Sequence, residues 1–506
     1  MKFKVRSIPI RLEHCSVMMN PEDAAELGLI VGDRVRISYD KRFCVADVHV
    51  ALEMIGKGEI GVCRTVGPCE MEIPEGIVAD VSPSPKPDSI EYIKKRLDGK
   101  KLTREEIYTI VRDIVVNVLT ESELTALITS NYLMDIGLDE IELFTRAMID
   151  TGESLTFEKG IVVDKHSIGG VPGDKSSLIV VPILAASGLL IPKTASRAIT
   201  SASGTADTME VLADVNLTID EIREITGRAG GVISWAGGAD IAPADERIIR
   251  VEYPLSIYSK PELLSSIMAK KGAMGSKYVI IDIPIGEGSK ILNIEYGREL
   301  ANDFTELGRR IGLHTSCILT YGNQPIGRTI GPALEAKEAL TVLENKKEPK
   351  MLIEKAVGIA GTLLELSGKA RNGAEDANQI LTSGKALEKF REIIEAQGGD
   401  PNIRSDDVPI GELKYDVKAM SDGAVAKVDN NRMVKVARAA GAPKDKGAGI
   451  FLHEKRGHYV KAEDPLFTIY AEKDWKLEEA IEKATREPPM TVSGMIMERS
   501  PSYRTL

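Results

Sequence analysis

One short segment of the sequence concentrates residue types that bind anions. It reads DKHSIGGVPGDKSS, from Asp164 to Ser177, and it directly follows the apolar run GIVV. Glycine lets a backbone approach a ligand closely, while lysine ammonium and serine hydroxyl groups donate hydrogen bonds. If a helix begins near Asp174, its first N–H groups add a partial positive charge. The segment therefore predicts an anion-binding turn between a strand and a helix. A tight turn without any ligand is the alternative. The glycine spacing matches neither a Walker loop nor a GxGxxG fingerprint.

Four later segments carry similar residue types, and each also has a simpler interpretation. They are SRAITSASGTAD (196–207), SSIMAKKGAMGSK (265–277), DIPIGEGSK (282–290) and GNQPIGRTIGPALEA (322–336). The first could be a solvated polar loop, and the second could be a helix end that places lysines at the negative end of the helix dipole. Ser266 and Lys270 are four residues apart, so on a helix they would share one face.

The segments that must position these side chains are predicted by hydrophobic periodicity. Residues 1–84 alternate apolar and polar residues and are predicted to form a β-rich domain. The segment VSPSPKPDS (81–89) has a linker composition. Residues 88–157 form a predicted helical domain, because Thr103 with Glu106 and Thr120 with Glu123 are capping-box pairs. Residues 247–275 are expected to pack on that domain.

Residues 158–410 are predicted to form an α/β domain with a largely parallel sheet, since short apolar runs alternate with helical ones. The runs KGIVVDKH, GLLIPKTAS and KYVIIDIPIG are its candidate strands, and SLIVVPILAASG is predicted to be a buried helix. Residues 411–506 are predicted to be an α+β module. In it, AKVDNNRMVKVARAAGAP and DPLFTIYAEK are expected to be short strands with turns, before the helix DWKLEEAIEKATRE.

The overall composition excludes several classes of protein. The 506 residues are 43% hydrophobic with a net charge of -11, which is typical of a globular chain and unfavourable for nucleic acid or anionic membrane binding. No run of about 18 apolar residues exists, so no membrane span is expected. The N-terminal residues show no signal-peptide pattern, and the five scattered cysteines suggest reduced thiols. A cytoplasmic location follows as the expectation. No His, Cys or carboxylate spacing indicates a metal, so no cofactor is expected.

Together the five segments, in this order, are more specific than any one of them. KHSIGGVPGDK, the serine-threonine-glycine loop, SIMAKK and NQPIG followed by GPALEA resemble the thymidine and pyrimidine-nucleoside phosphorylase family over roughly residues 88–500. The additional N-terminal domain, the proline in GGVPG and the wording SRAITSASGTAD resemble the AMP phosphorylase branch of that family. The resemblance implies a helical domain and an α/β domain with a cleft between them, a C-terminal α+β domain, and a homo-oligomer, dimeric or larger.

The resemblance also implies roles for particular residues. The attacking phosphate would contact Lys165, Ser167, Ser177 and Thr205. The nucleotide would contact Gly170, Ser196, Arg197, Ala198, Ile199, Thr200, Ser201, Thr205, Ser266 and Lys290. The base would face Ser266 and Lys270, which match the base-binding serine and lysine of the nucleoside phosphorylases.

Two positions depart from the pattern of these relatives. The nucleoside enzymes have a base-binding arginine where this chain has Val251, which favours a different base. The AMP branch has an aspartate proton donor where this chain has Tyr258. A phenol has a reference pKa of about 10 and is a weak acid at neutral pH. His166 matches a histidine that the nucleoside branch uses near the base, and it is therefore the next candidate for the proton donor.

The activity implied by the resemblance is phosphorolysis of nucleoside 5'-monophosphates. AMP and phosphate would give adenine and ribose 1,5-bisphosphate in nucleotide salvage, and other nucleoside monophosphates would be further substrates. The alternatives are a thymidine or uridine phosphorylase and a non-catalytic nucleotide sensor. The residues alone, without the resemblance, predict an α/β enzyme that binds a phosphorylated ligand.

Overall fold

The computed structural model describes residues 1–12, 15–40, 42–65, 73–198, 201–238, 241–255, 259–345 and 348–494. The chain divides into two compact units. One comprises Met1–Thr151 and Pro243–Ser266, and the other comprises Gly152–Ala242 and Ile267–Leu506. The predicted N-terminal and helical segments thus lie in one unit, together with most of the residues expected to pack on the helices. Within the described ranges, no helix combines the length and apolar content needed to cross a bilayer.

The first unit begins with a closed β-barrel. Its elements are β1 (Lys2–Leu12), β2 (Ser16–Met19), α1 (Pro21–Glu26), β3 (Arg34–Tyr39), β4 (Arg42–Val50), β5 (Glu59–Thr65) and β6 (Val78–Pro83). The strands lie in the order β1-β5-β2-β4-β3-β6. Alternate side chains such as Val35 and Ile37 are fully buried inside the barrel, as a period-two pattern requires. Strand β6 continues to Pro83, so the first residues of the predicted linker belong to the barrel.

Helices complete the first unit. They are α2 (Ser89–Leu97), α3 (Arg104–Val115), α4 (Glu121–Leu133), α5 (Leu138–Asp150), α9 (Pro243–Leu255) and the start of α10 (Lys260–Ala273). Both predicted capping boxes are present, at Thr103 with Glu106 and at Thr120 with Glu123. Arg247 of α9 donates to the carbonyl oxygens of Ile114 at 2.7 Å and Leu119 at 3.2 Å, which ties α9 to the bundle.

The second unit contains the predicted parallel sheet. Its elements are β7 (Val163–Ser167), α6 (Ser176–Ala186), β8 (Ile191–Ala195), α7 (Thr205–Met209), α8 (Ile219–Ala229), β9 (Gly231–Trp235), β10 (Tyr278–Ile285), α11 (Ile294–Ile311), β11 (His314–Tyr321), α12 (Pro332–Leu343), α13 (Lys350–Leu366), α14 (Gly373–Thr382) and α15 (Lys385–Ala396). Strands β11-β10-β7 pair in parallel, β8 and β9 pair in parallel, and a parallel bridge between Val162 and Leu190 joins the two groups. The three predicted strands and the buried helix α6 are confirmed.

The C-terminal part is the predicted α+β module, with one correction. It contains β13 (Leu413–Lys418), β14 (Gly423–Val428), α16 (Asn430–Ala439), β15 (Gly449–Leu452), β16 (Tyr459–Val460), β17 (Pro465–Ala471), α17 (Asp474–Arg486) and β18 (Met490–Ser493). A short strand from the preceding segment, β12 (Thr329–Ile330), pairs with β15. The expectation of short strands with turns in AKVDNNRMVKVARAAGAP is wrong beyond the end of β14, because Asn430–Ala439 form α16. Asp429 caps that helix by accepting the N–H of Arg432 at 3.0 Å, and Met433 and Val436 are buried on one face.

Candidate active site

The predicted site segments follow the carboxyl ends of parallel strands. The anion-binding turn follows β7, the serine-threonine loop follows β8, GEGSK follows β10, and GNQPIG follows β11. Parallel strands bring their carboxyl ends to one edge of a sheet, which is where α/β proteins bind ligands. The sheet therefore gathers four of the five segments at one edge.

The turn after β7 is held close to the loop after β10. Gly170 has a φ of +93°, and a Cβ there would lie 2.6 Å from the backbone nitrogen of Lys290. Gly173 has a φ of +77°, and a Cβ there would lie 2.6 Å from the carbonyl oxygens of Ile326 and Thr329. Only glycine fits such close approaches at positive φ. These two glycines explain how the turn packs against the loops after β10 and β11.

The predicted phosphate ligands lie at the start of α6 and the end of β7. Lys165 is 2% exposed and donates from Nζ to Ser176 Oγ at 2.9 Å. Among the described residues, the buried Oγ of Ser167 has no hydrogen-bond partner, which is unusual for a buried hydroxyl. Ser177 lies in the first turn of α6, where backbone N–H groups have no partners within the helix. Ammonium, hydroxyl and N–H donors thus lie at the end of β7 and the start of α6, and groups of these types can bind a phosphate.

His166 lies among lysine side chains. The pKa of His166 is well below its usual range, chiefly because of burial and further because of Lys271 and Lys193. Lys193 is 4% exposed and donates to the carbonyl oxygen of Thr194. The pKa of Lys193 is also well below its usual range, because of burial and the charge of Lys271. An anion that binds here would stabilise the protonated forms of both groups.

Two of these lysines were missed by the sequence analysis. Lys193 lies within β8, where a lysine in the apolar run LLIPKTA was the available signal. Lys271 is fully buried, and its Nζ lies 2.5 Å from Asp164 Oδ2. Asp164 Oδ1 also accepts the backbone N–H of Lys165 at 2.7 Å. The pair of Asp164 and Lys271 therefore fixes the end of α10 against β7, close to Lys165.

Several polar groups of the serine-threonine loop after β8 form hydrogen bonds within the loop or to the helix that follows it. Arg197 donates to Glu210 at 2.7 and 2.5 Å, so its guanidinium is directed to that carboxylate. The N–H of Ala198 donates to Asp207 Oδ2 at 2.6 Å. Ser201 donates to the carbonyl oxygen of Ser203 at 3.0 Å. Arg197 and Ala198 thus shape the loop.

The remaining predicted residues fall in three places. Ser196 and half-buried Thr205 flank the serine-threonine loop, with Thr205 as the first residue of α7. Ser266 and Lys270 are both half-buried and lie one turn apart on α10, and the division between the two units falls between them. The predictions for Ile199, Thr200 and Tyr258 lie outside the described residues. Val251 is buried on α9.

The C-terminal module contacts the backbone of two site loops, the serine-threonine loop after β8 and the loop after β11. Arg438 donates to the carbonyl oxygen of Ser201 at 3.1 Å, and Asn430 donates to that of Gly322 at 2.8 Å. Lys455 donates to the carbonyl oxygens of Pro325 at 2.5 Å and Gly327 at 2.7 Å. The module supplies no predicted site residue, but it satisfies backbone groups of these two loops.

A buried ion pair connects the anion-binding turn to α12. Lys175, the residue before α6, is fully buried and pairs with Glu338 of α12. Its Nζ also donates to the carbonyl oxygens of Ile326 at 3.2 Å and Thr329 at 3.0 Å, and to Thr329 Oγ1 at 2.8 Å. Lys175 therefore has a structural role and is not available to a ligand. In the described residues, no group of three His, Cys, Asp or Glu side chains could hold a metal ion.

Comparison with known proteins defines the class first. Residues 90–152 match the helical bundle domain and residues 159–242 the a/b domain of the glycosyl transferase family, and residues 424–490 match the pyrimidine nucleoside phosphorylase C-terminal domain. The fold is similar to that of anthranilate phosphoribosyltransferase (TrpD) from Thermus thermophilus, with a TM-score of 0.52 and 18% identity, covering 61% of this chain and 99% of that one.

Full-length relatives give a narrower assignment. AMP phosphorylase 1 of Archaeoglobus fulgidus is 57% identical over 498 residues, which is 98% of this chain and 99% of that protein. AMP phosphorylase of Methanocella arvoryzae is 48% identical over 99% of both chains. The chain therefore belongs to the AMP phosphorylase family, and it is a glycosyltransferase of the pentosyl-transferring kind.

Proposed function

We propose that this chain cleaves nucleoside 5'-monophosphates with inorganic phosphate, and that AMP is its main substrate. A phosphate oxygen forms a bond to C1' of the ribose while the bond from C1' to the base nitrogen breaks. The bonding electrons go to the base, which takes up a proton and leaves. The products are adenine and ribose 1,5-bisphosphate, which nucleotide salvage would consume.

The observation that carries the proposal is the donor set around β7. Lys165 and Ser167 in β7 and Ser177 in α6 offer ammonium, hydroxyl and helix N–H donors, beside the lysine cluster around His166. Such donors position a phosphate nucleophile, and fixed orientation of two reactants is worth about 7–11 kcal/mol of a barrier. The names of the relatives support the choice of AMP over a bare nucleoside.

Protonation of the leaving base is proposed for His166. Burial and neighbouring lysines keep the pKa of His166 low, so its imidazole is neutral in the free site at pH 7. A bound phosphate dianion would oppose those lysine charges and raise that pKa. The histidine would then gain its proton in the complex that needs a general acid.

Three broader parts of the proposal concern the setting of the reaction. The two substrates supply every reacting atom, so we propose that catalysis needs no organic cofactor or metal, and activity should survive a chelator. We place the reaction in the cytoplasm, where AMP and phosphate are present, and cell fractionation tests that location. We also propose a homo-oligomer, for which light scattering should give a mass above the 55.0 kDa of one chain.

The test is a substrate screen on the purified protein. AMP, CMP, UMP, adenosine, thymidine and uridine are each incubated with and without phosphate, and released base is measured by chromatography. We expect base release from AMP only with phosphate, and a product with two phosphorus-31 signals. Faster cleavage of thymidine or uridine would favour the nucleoside phosphorylase, and binding of AMP without any turnover would favour the sensor.

A pair of variants connects the screen to the site. Lys165→Ala should raise the KM for phosphate and lower kcat, because it removes a buried ammonium from the proposed phosphate turn. Lys159→Ala is the matched control, since Lys159 is exposed and precedes the same strand. Equal kinetics in the two variants would remove Lys165 from the phosphate site.

A further inference from the structure

A connected series of buried polar side chains leads from Lys165 into the interior of the α/β fold. Lys165 Nζ lies 2.9 Å from Ser176 Oγ, which lies 2.5 Å from Asp174 Oδ1. Asp174 Oδ2 lies 3.2 Å from Lys355 Nζ, which lies 2.6 Å from Asp282 Oδ2. The series therefore joins β7, the start of α6, α13 and β10.

The hydrogen bonds in this series have a fixed direction. Asp174 also accepts the backbone N–H of Ser176 at 3.2 Å, so its carboxylate acts only as an acceptor. The single hydroxyl proton of Ser176 points to that carboxylate, which leaves the oxygen lone pairs for the Lys165 ammonium. Asp282 is held in turn by Thr320, whose hydroxyl donates at 2.6 Å. The links through Asp174 depend on its carboxylate remaining ionised.

Lys355 contributes most to keeping Asp174 ionised. Its side chain is 7% exposed and lies between two carboxylates, of which Asp282 is fully buried and Asp174 is 16% exposed. Burial alone would raise the pKa of Asp174, but the charges of Lys355 and Lys165 outweigh burial and lower it. Burial would likewise lower the pKa of Lys355, but Asp174 and Asp282 outweigh it and raise that pKa. The two lysines and two aspartates balance in charge.

The same geometry limits where the Lys165 ammonium can point. An ammonium has three N–H donors, and within the described part of the chain Ser176 accepts one of them. With that bond fixed, the other two donors are directed by tetrahedral geometry and remain for a ligand. Without it, the four-carbon side chain of Lys165 regains rotamer freedom, and phosphate binding must then restrict it again.

We propose that Lys355 is a positioning residue for phosphate binding, which acts through Asp174 and Ser176 to orient the ammonium of Lys165. The inference rests on the proposed function, because it takes Lys165 as a phosphate ligand. Lys355 itself lies on α13, 190 residues after Lys165 in the sequence, and contacts no substrate in this scheme.

The experiment compares the phosphate KM, the AMP KM and kcat of the full-length enzyme and its variants. Lys355→Met should raise the phosphate KM by about tenfold or more, the loss expected when a hydrogen bond to a charged group is weakened. The AMP KM should change by less than about twofold, because Lys165 is proposed to bind phosphate. A general loss of structure would instead raise both KM values. Lys355→Arg keeps the charge and should recover most of the phosphate affinity.

Two further variants test whether Lys355 acts through Asp174 and Ser176. They also keep the proposal testable if Lys355→Met does not fold. Ser176→Ala cuts the series next to Lys165 without removing a charged group, and it should reproduce the rise in phosphate KM. Combining Lys355→Met with Asp174→Asn should cost less than the sum of the single changes if both act through one path. Lys350→Met is the matched control, because Lys350 is exposed on the same helix.

The outcomes separate the two levels of the proposal. If Lys165→Ala leaves the phosphate KM unchanged, the phosphate site itself is wrong. If Lys165→Ala raises it but Lys355→Met and Ser176→Ala do not, only the positioning role of Lys355 is overturned. If Lys355→Met does not fold, Ser176→Ala decides alone, and a phosphate KM equal to that of the wild type overturns the inference.

Discussion

Replacement of Lys175 by methionine should destabilise the α/β part of the molecule strongly. Methionine keeps the length of the side chain but leaves the carboxylate of Glu338, whose side chain is only 7% exposed, without its cation. That carboxylate would retain two weaker partners, the N–H of Arg328 at 2.9 Å and the hydroxyl of Thr329 at 3.0 Å. Two neutral donors do not replace an ammonium in a buried site.

The magnitude follows from the burial of both charges. Removing one member of a buried ion pair costs about 3–5 kcal/mol, because the remaining charge stays in a medium of low dielectric. One kcal/mol lowers the melting temperature by roughly 2–4 °C in a domain of 150–250 residues. Lys175→Met should therefore lower the melting temperature by about 6–20 °C. Glu338→Gln should cost a similar amount, since it leaves the ammonium with only neutral oxygen partners.

The assay is thermal unfolding of both single variants and of the double variant that combines Lys175→Met with Glu338→Gln. The amide introduced by Glu338→Gln still offers a side-chain oxygen to the N–H of Arg328, so the double variant replaces the pair without a buried charge. It should melt well above the temperature that the sum of the single losses predicts. Lys350→Met supplies the exposed-lysine control. Additive losses, or a shift of only a few degrees for Lys175→Met, would refute the reasoning.

Two further predictions concern protonation. His166→Ala should lower kcat more than Tyr258→Phe does, and the comparison isolates proton donation because phenylalanine keeps the ring; the reverse order in folded variants would transfer the role to Tyr258. Burial raises the pKa of Glu262 to about 7. At a pH below the unfolded pKa of Glu262, the carboxyl is protonated in both states and does not change the free energy of unfolding. As the pH rises to 7, ionisation favours the unfolded state, and the loss of stability grows to about 3 kcal/mol. Glu262→Gln should flatten the fall in melting temperature between pH 5 and pH 8, whereas exposed Glu105→Gln should not; an unchanged slope in the Glu262 variant would count against the buried acid.

Local sequence patterns were sufficient for the parts of the fold that local physics decides. The capping boxes at Thr103 and Thr120 and the apolar strand before Lys165 are confirmed, since each depends on neighbours within a few residues. The segment around Asp429 was misread because β14 runs directly into α16. There the aspartate cap, three residues before Arg432, was the signal for a helix.

The sequence predicted the hydrogen-bond donors of the candidate phosphate site but not the residues that position those donors. Lys165, Ser167 and Ser177 lie in one short segment, so their types and spacing indicate an anion. Lys355 gives no such signal, because it lies on an ordinary amphipathic helix and its partner Asp174 is 181 residues away. Interactions of this kind depend on how α13 packs on the sheet, which periodicity does not specify.

The hydrogen bonds from the C-terminal module to the site loops determine when these loops can be completed during synthesis of the chain. The ribosome makes the N-terminal part of a chain first, and domains fold as they emerge. The backbone groups of Ser201 and Gly322 receive their partners only when Arg438 and Asn430 have been made, and Gly327 receives its partner only with Lys455. A nascent chain can thus form the sheet long before the loops after β8 and β11 are complete. A ribosome-bound chain should remain inactive until nearly nine-tenths of its 506 residues have emerged.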